Sequence, residues 1–182
     1  DTIQTLLAVV DAQREYAMKD ADGNGLPDYA AQFISSPGKK DGLYWATAED
    51  EDMSPLGDLL AGAAALESPE PKPFHGYEYW ILKGQGKSAP GGERSYLNDK
   101  GLMTGGFAAI AWPAKYGNSG VMTFMVNARD IVFQKDLGAE TAQLAVAIES
   151  FDPDSTWEPT GDALDQVEDD GQEEQPAAAS EP

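Results

Sequence analysis

Apolar residues at Ile3, Leu7, Val10 and Tyr16 with Ala17 return at helical spacing, and Asp1 or Thr2 stands where a cap is needed. The pattern predicts an amphipathic helix to about Lys19, where an Asp/Gly/Asn cluster interrupts it. Beyond the cluster, "PDYAAQFI" predicts one or two further helical turns with Tyr29, Phe33 and Ile34 facing inward, and "SSPGKKDG" reads as loop. Ser54 followed by Pro55 is an N-cap with proline in the first turn, so "LGDLLAGAAALE" continues as an Ala-rich helix to about Glu67.

The second half changes period. "FHGYEYWILK", "GFAAIAWP", "GVMTFMVN" and "DIVFQKD" are aromatic or β-branched runs bounded by Gly, Pro and Asn, and they predict four strands. Asn127 to Asp130 suits a tight reversal between the last two, and short links favour antiparallel pairing. "GAETAQLAVAIESF" predicts a closing helix with Leu144, Ala147, Ile148 and Phe151 on one face. The expected fold is α+β: an N-terminal amphipathic helix and further helices packed on a four-stranded antiparallel meander, loosely pilin-like in outline.

Charge sets the domain boundary. From Asp152 to Pro182 there are eleven Asp or Glu and no Lys or Arg, and from Asp162 onward the apolar residues are sparse and aperiodic. The expectation is a single domain over residues 1–161 and an acidic disordered tail over residues 162–182. Across all 182 residues, 32 acids against 12 bases give a net charge of −20, which repels nucleic acid phosphates and anionic lipid headgroups. With no cysteine, disulfides, thiolate metal sites and cysteine nucleophiles are excluded. No apolar run approaches the ~20 residues of a membrane span; "LLAVV" is short and ends at Asp11. The start at Asp1 rather than Met reads as a processed or excised chain.

The stretch "DADGNGLPD" is the main candidate for chemistry. Asp20, Asp22 and Asn24 stand at positions one, three and five of a calcium-type loop, Gly25 permits the bend, Leu26 can offer its carbonyl at seven, and Asp28 stands at nine. The twelfth position, where an EF-hand places a bidentate Glu, is Ala31, so the pattern is similar to the shorter calcium loops of thrombospondin type 3 repeats. The competing reading is a turn that ends one helix and starts the next, since Asp, Asn and Gly favour such local hydrogen bonding. Three carboxylates within nine residues repel one another without a cation, which favours the ion.

Other motifs are weaker. "GQGKS" ends like a phosphate loop, but Ile81 occupies the position of its first glycine and "APGG" follows in place of a helix. "GNSG" with the lone His75 lacks the pattern of a hydrolase elbow, and no catalytic residue is assigned. Alternation puts Tyr77 and Tyr79 on one sheet face and Glu78 and Trp80 on the other.

The blocks "VVDAQREYAMKDADGNGLPDYAAQFISSPGKKDGLYW", "SPLGDLLAGAA", "PFHGYEYWILKGQGKSAPGG", "GLMTGGFAAIAWPAKYGNSGVMTFMVN" and "FQKDLGAETAQLAVAIESFDPDSTW" occur in an order that resembles the bacterial exported-protein family catalogued as domain of unknown function 2950. The resemblance spans about Ile3 to Trp157, implies a periplasmic or secreted location, and brings no catalytic residues. Two functions are expected. The first is an extracytoplasmic, non-enzymatic binding or assembly module of the envelope, stabilised by calcium, whose partner is another envelope protein or a second copy. The alternative is a cell-envelope glycan-binding protein or hydrolase that uses the aromatic sheet and the Gly-rich segment from Gly84 to Gly92.

Overall fold

The computed structural model describes residues 1–47, 53–57 and 73–161. The expected Ala-rich helix to Glu67 and the acidic tail lie outside the described residues. Helix α1, Thr2–Lys19, follows the apolar pattern and buries Leu6, Val9, Val10, Gln13 and Tyr16. Asp1 occupies the N-cap position without a side-chain cap bond, and the helix closes on Asp20, a non-glycine residue in the left-handed region (φ 47°).

After α1 the chain departs from expectation. "PDYAAQFI" forms no helical turns, because its backbone groups find partners elsewhere. The Tyr29 N–H donates to the Met103 carbonyl at 2.9 Å, and Ala30 is held on both sides by the Gln13 amide. Gln13 Nε2 donates to the Ala30 carbonyl and its Oε1 accepts from the Ala30 N–H, each at 2.8 Å. A buried side-chain amide thus takes the place of a strand partner, and Ile34, expected inward, is 37% exposed.

The sheet has five strands rather than the four expected. They are β1 (Tyr77–Leu82), β4 (Ala108–Pro113), β5 (Met122–Asn127), β6 (Val132–Asp136) and β7 (Glu158–Pro159), neighbours in that order and antiparallel throughout. Two short strands, β2 (Gly84–Gln85) and β3 (Arg94–Ser95), pair separately in the long connection between β1 and β4. Strand β4 is buried along its whole length, and its alanines keep both faces thin enough for helices to approach. The Asn127 to Asp130 reversal is present: the Asp130 N–H donates to the Asn127 carbonyl, and Arg14 of α1 holds the Asp130 carboxylate at 2.6 Å.

Strand register assigns the two faces. Glu78 lies opposite Trp112 and Trp80 opposite Ile110, so these four share one face, while Tyr77, Tyr79, Ala111 and Phe124 share the other. Helix α1 covers the tyrosine face. Tyr79 places its phenol beside Thr2 and Thr5, near both hydroxyls yet in hydrogen-bond geometry with neither, and burial raises its pKa.

The opposite face is covered only in part. Helix α2, Thr141–Val146, is six residues long, where the sequence pattern predicted a helix to Phe151. The chain leaves the helix because Phe151 bonds in strand fashion, its N–H to the Gly84 carbonyl and its carbonyl to the Gly86 N–H, both at 2.9 Å. Leu144, expected on the buried face, is 45% exposed; Thr141 and Ala145 are buried in its stead.

Candidate functional site

Two places merit description: the acidic loop after α1, and the part of the sheet that α2 leaves open.

In the loop, the Asp20 carboxylate accepts from the Gly25 N–H at 3.0 Å, which curls the intervening residues into one turn. Asp22 Oδ1 accepts from the Asn24 N–H, and Asn24 Oδ1 accepts from the Leu26 N–H at 2.8 Å. The Asn24 Nδ2 then bridges two carboxylates, Asp22 Oδ2 at 2.8 Å and Asp28 Oδ1 at 3.0 Å. Asp28 is buried, whereas Asp20, Asp22 and Asn24 lie toward the surface. Of the expected ligands, Asp22, Asn24 and Asp28 meet, while Asp20 turns onto backbone and Leu26 is solvent-facing. Among the described residues, no three acidic or histidine side chains are gathered as a metal-holding group.

The loop's electrostatics are nonetheless those of crowded negative charge. The Asp22 pKa is raised, first by burial and then by Asp28 and Asp20, against the lowering effect of the Asn24 hydrogen bonds. Tyr16, which donates to the Lys40 carbonyl, is pushed well above the usual phenol range by burial and by the fields of Asp22, Asp28, Asp41 and Asp20.

The second place is an open groove of ≈ 1310 Å³. Its floor is the uncovered outer part of the sheet, with Glu78 and Trp80 from β1 and Trp112 from β4. Ala142, Val146 and Glu149 form one wall, and the segments around Gly84–Gly86 and Glu93–Ser95 form the other. Trp80 is 62% exposed and Val146 70% exposed, two large apolar surfaces left in water in one groove. Burial raises the Glu78 pKa.

The Gly-rich rim is an ordered loop. The buried Gln85 amide donates to the Pro90 and Gly92 carbonyls at 2.8 and 2.7 Å, and its Oε1 accepts from the Tyr96 hydroxyl. In "GQGKS" the Ser88 N–H, which a phosphate loop would offer to an anion, is taken at 2.7 Å by the Asp152 carboxylate of this same chain. Gly86 is required beside it, since a Cβ there would overlap the Asp152 side chain.

His75 is not in a strand. It sits in the turn that joins Phe74 to Tyr77, with φ 49°, stacked edge-on against the Phe74 ring. Ser119 uses its hydroxyl to accept from the Lys115 N–H at 3.0 Å. The roles of Gln13, Gln85 and Asp152 went unread in the sequence, although Gln13 falls on the buried face of α1, three residues from Val10 and from Tyr16.

Helix, sheet and groove together define an α+β domain with an aromatic-floored surface groove and a separate acidic loop. Among the described residues, no helix is long and apolar enough to cross a membrane. The chain belongs to the family described as Protein of unknown function (DUF2950), whose model matches residues 1–160. No curated protein and no solved structure matches it.

Proposed function

We propose that this protein is a non-enzymatic binding or assembly module of the bacterial envelope, which takes its partner in the groove and steadies its acidic loop with calcium. Trp80 carries the reading. An indole held 62% exposed on a paired strand, in the same groove as the exposed Val146, is apolar surface that a monomer has reason to hide unless a partner covers it. The loosely pilin-like outline, a helix laid against an antiparallel meander, would suit assembly, though fold analogy by itself assigns no role.

The loop sequence supplies hard oxygens of the kind calcium takes, three carboxylates, an amide oxygen and a backbone carbonyl, of which Asp22, Asn24 and Asp28 already meet and Asp20 and Leu26 would have to turn inward. The Asn24 Nδ2 sits between carboxylate oxygens, where a cation would be attracted. Turning the Asn24 amide would release the Leu26 N–H and aim a third oxygen at the point where Asp22 and Asp28 converge. Lacking a twelfth-position Glu, such a loop belongs to the range of about 0.1–1 mM, which is calcium outside the cytoplasm.

The binding role is tested by placing a photo-crosslinker at Ser95 on the groove wall, and at Asp99 outside it, in the native host. A discrete adduct from Ser95 alone, abolished by Trp80→Ala, is expected; equal labelling from both positions would remove the groove from the proposal. The calcium role is tested by melting. Saturation at a hundredfold excess over Kd stabilises by about 2.7 kcal/mol, which for a chain of this size is about 5–10 °C. Asp22→Ala should erase the shift and Asp99→Ala preserve it. Identical curves in millimolar calcium and in excess chelator, with no bound metal by elemental analysis, would return the loop to a helix-ending turn.

A further inference from the structure

Three acids, Glu78, Glu93 and Glu149, and two bases, Lys83 and Arg94, line the groove. Glu93 on its wall pairs with Lys87 at 3.9 Å, and Arg94 is drawn over the Tyr96 ring. Among the described residues, the Glu78 carboxylate has neither an ion pair nor a hydrogen bond, although it is partly buried. Its place is set by the sheet. Trp80 is two residues along β1 on the same face, and Trp112 is its cross-strand partner on β4. A carboxylate without a partner among the described residues, beside the exposed indole of Trp80 and opposite the buried Trp112, is chemistry that selects a cation, which gains from both the charge and the Trp80 ring face. Glu149 adds a second carboxylate on the helix side that has no ion pair or hydrogen bond among the described residues, and Lys83 lines the groove as well.

We propose that the groove accepts the lysine or arginine side chain of an extended basic polypeptide, seated on Trp80 against Glu78. This refinement rests on the groove being the binding surface. A polypeptide fits better than a small ammonium compound because ≈ 1310 Å³ exceeds the ~300–1,000 Å³ of small-molecule sites and the groove is open rather than enclosed. The net charge of −20 supplies long-range attraction for a basic chain, and the same charge disfavours acidic partners.

The test uses tetralysine in isothermal titration against the full chain at 0.15 M salt, with wild type, Trp80→Ala, Glu78→Gln and Asp99→Asn. Trp80→Ala leaves the net charge unchanged, so its effect separates the site from bulk attraction. Saturable one-to-one binding is expected, weakened roughly five- to thirtyfold by Trp80→Ala, weakened also by Glu78→Gln, and unaltered by Asp99→Asn. Circular dichroism melts confirm that each variant is folded. The proposal is overturned if Trp80→Ala is silent, or if Glu78→Gln and Asp99→Asn act alike, because binding would then follow net charge alone. It is also overturned if wild type ignores tetralysine and binds a neutral oligosaccharide in a Trp80-dependent way, an outcome that leaves the groove as the binding surface. Failure with tetralysine together with a silent Ser95 crosslinker would remove both.

Discussion

Replacing Gln13 by Met tests whether the segment after the acidic loop is held to α1 by one buried amide. The two side chains have similar length, and the site is fully buried, so the change removes two hydrogen bonds and little volume. Both bonds, at 2.8 Å, go to the backbone of Ala30, itself 1% exposed, so its N–H and carbonyl are left without partners. Each orphaned group costs about 1–3 kcal/mol, which sums to about 2–5 kcal/mol once the apolar gain of the Met is set against it. At about 2–4 °C per kcal/mol for a chain of this size, Tm should fall by about 5–15 °C. Urea denaturation should show a lower midpoint at unchanged m, the mark of a stability change rather than a change in compactness. Gln13→Glu gives an independent check on sign. A protonated carboxyl can donate to the Ala30 carbonyl and accept from its N–H as the amide does, while the ionised form cannot donate and is buried in an apolar site. Its folded pKa should therefore be raised, so its deficit should be small below about pH 4 and grow as pH rises through that value. A loss below about 1 kcal/mol for Gln13→Met, or a Gln13→Glu deficit independent of pH, would refute the anchoring argument.

Asp41 should govern part of the acid limb of stability. Burial alone would raise its pKa, but the Ser36 N–H and hydroxyl at 2.7 and 2.9 Å and the Gln32 amide at 2.9 Å outweigh it, and the net shift is downward. A depressed folded pKa means stabilisation that is present above the unfolded value of about 3.9 and lost as pH falls through the folded one. The gap between wild type and Asp41→Asn in urea midpoints should close between pH 5 and pH 2, roughly the window that spans both values, and a constant gap would refute the assignment. Gly86→Ala should destabilise wild type because its Cβ overlaps the Asp152 side chain from the Cβ outward, yet cost less in an Asp152→Gly background, which removes every overlapping atom. Additive losses in that double-mutant cycle would show that the two positions do not meet.

Much of the fold was legible because long periodic segments leave few alternatives. Helix α1 ends at Lys19 as its apolar spacing indicates, and all four strand runs contain the strands found. The failures have a common physical origin: a nearby long-range partner outbid local propensity. "PDYAAQFI" could form helical turns in isolation, but Met103 and Gln13 offer its backbone partners that no local pattern announces. Strand β7 is only Glu158–Pro159, too short to show a period, and is defined by pairing with Phe133 and Gln134. Likewise Asp152 fills the "GQGKS" loop from more than sixty residues away, a distance at which spacing carries no signal.

The misread end of α2 bears directly on the site. A helix continued to Phe151 would have carried Ala147 and Ile148 further across the sheet face that β1 and β4 present, and would have roofed part of the groove. Phe151 is instead fixed between Gly84 and Gly86 by two backbone hydrogen bonds, and its ring packs on Phe133 at 5.9 Å. The helix ends four residues earlier, at Ala147, which is still in the right-handed region but from which the Ile148 N–H bonds back only three residues, to Ala145. The exposed Val146 and the open indole of Trp80 are therefore two consequences of one competition, in which strand pairing at Phe151 wins over helix propagation. The groove is not a gap left by imperfect packing, since the same bonds that shorten the helix also fix Gly84 to Gly86 as its opposite wall.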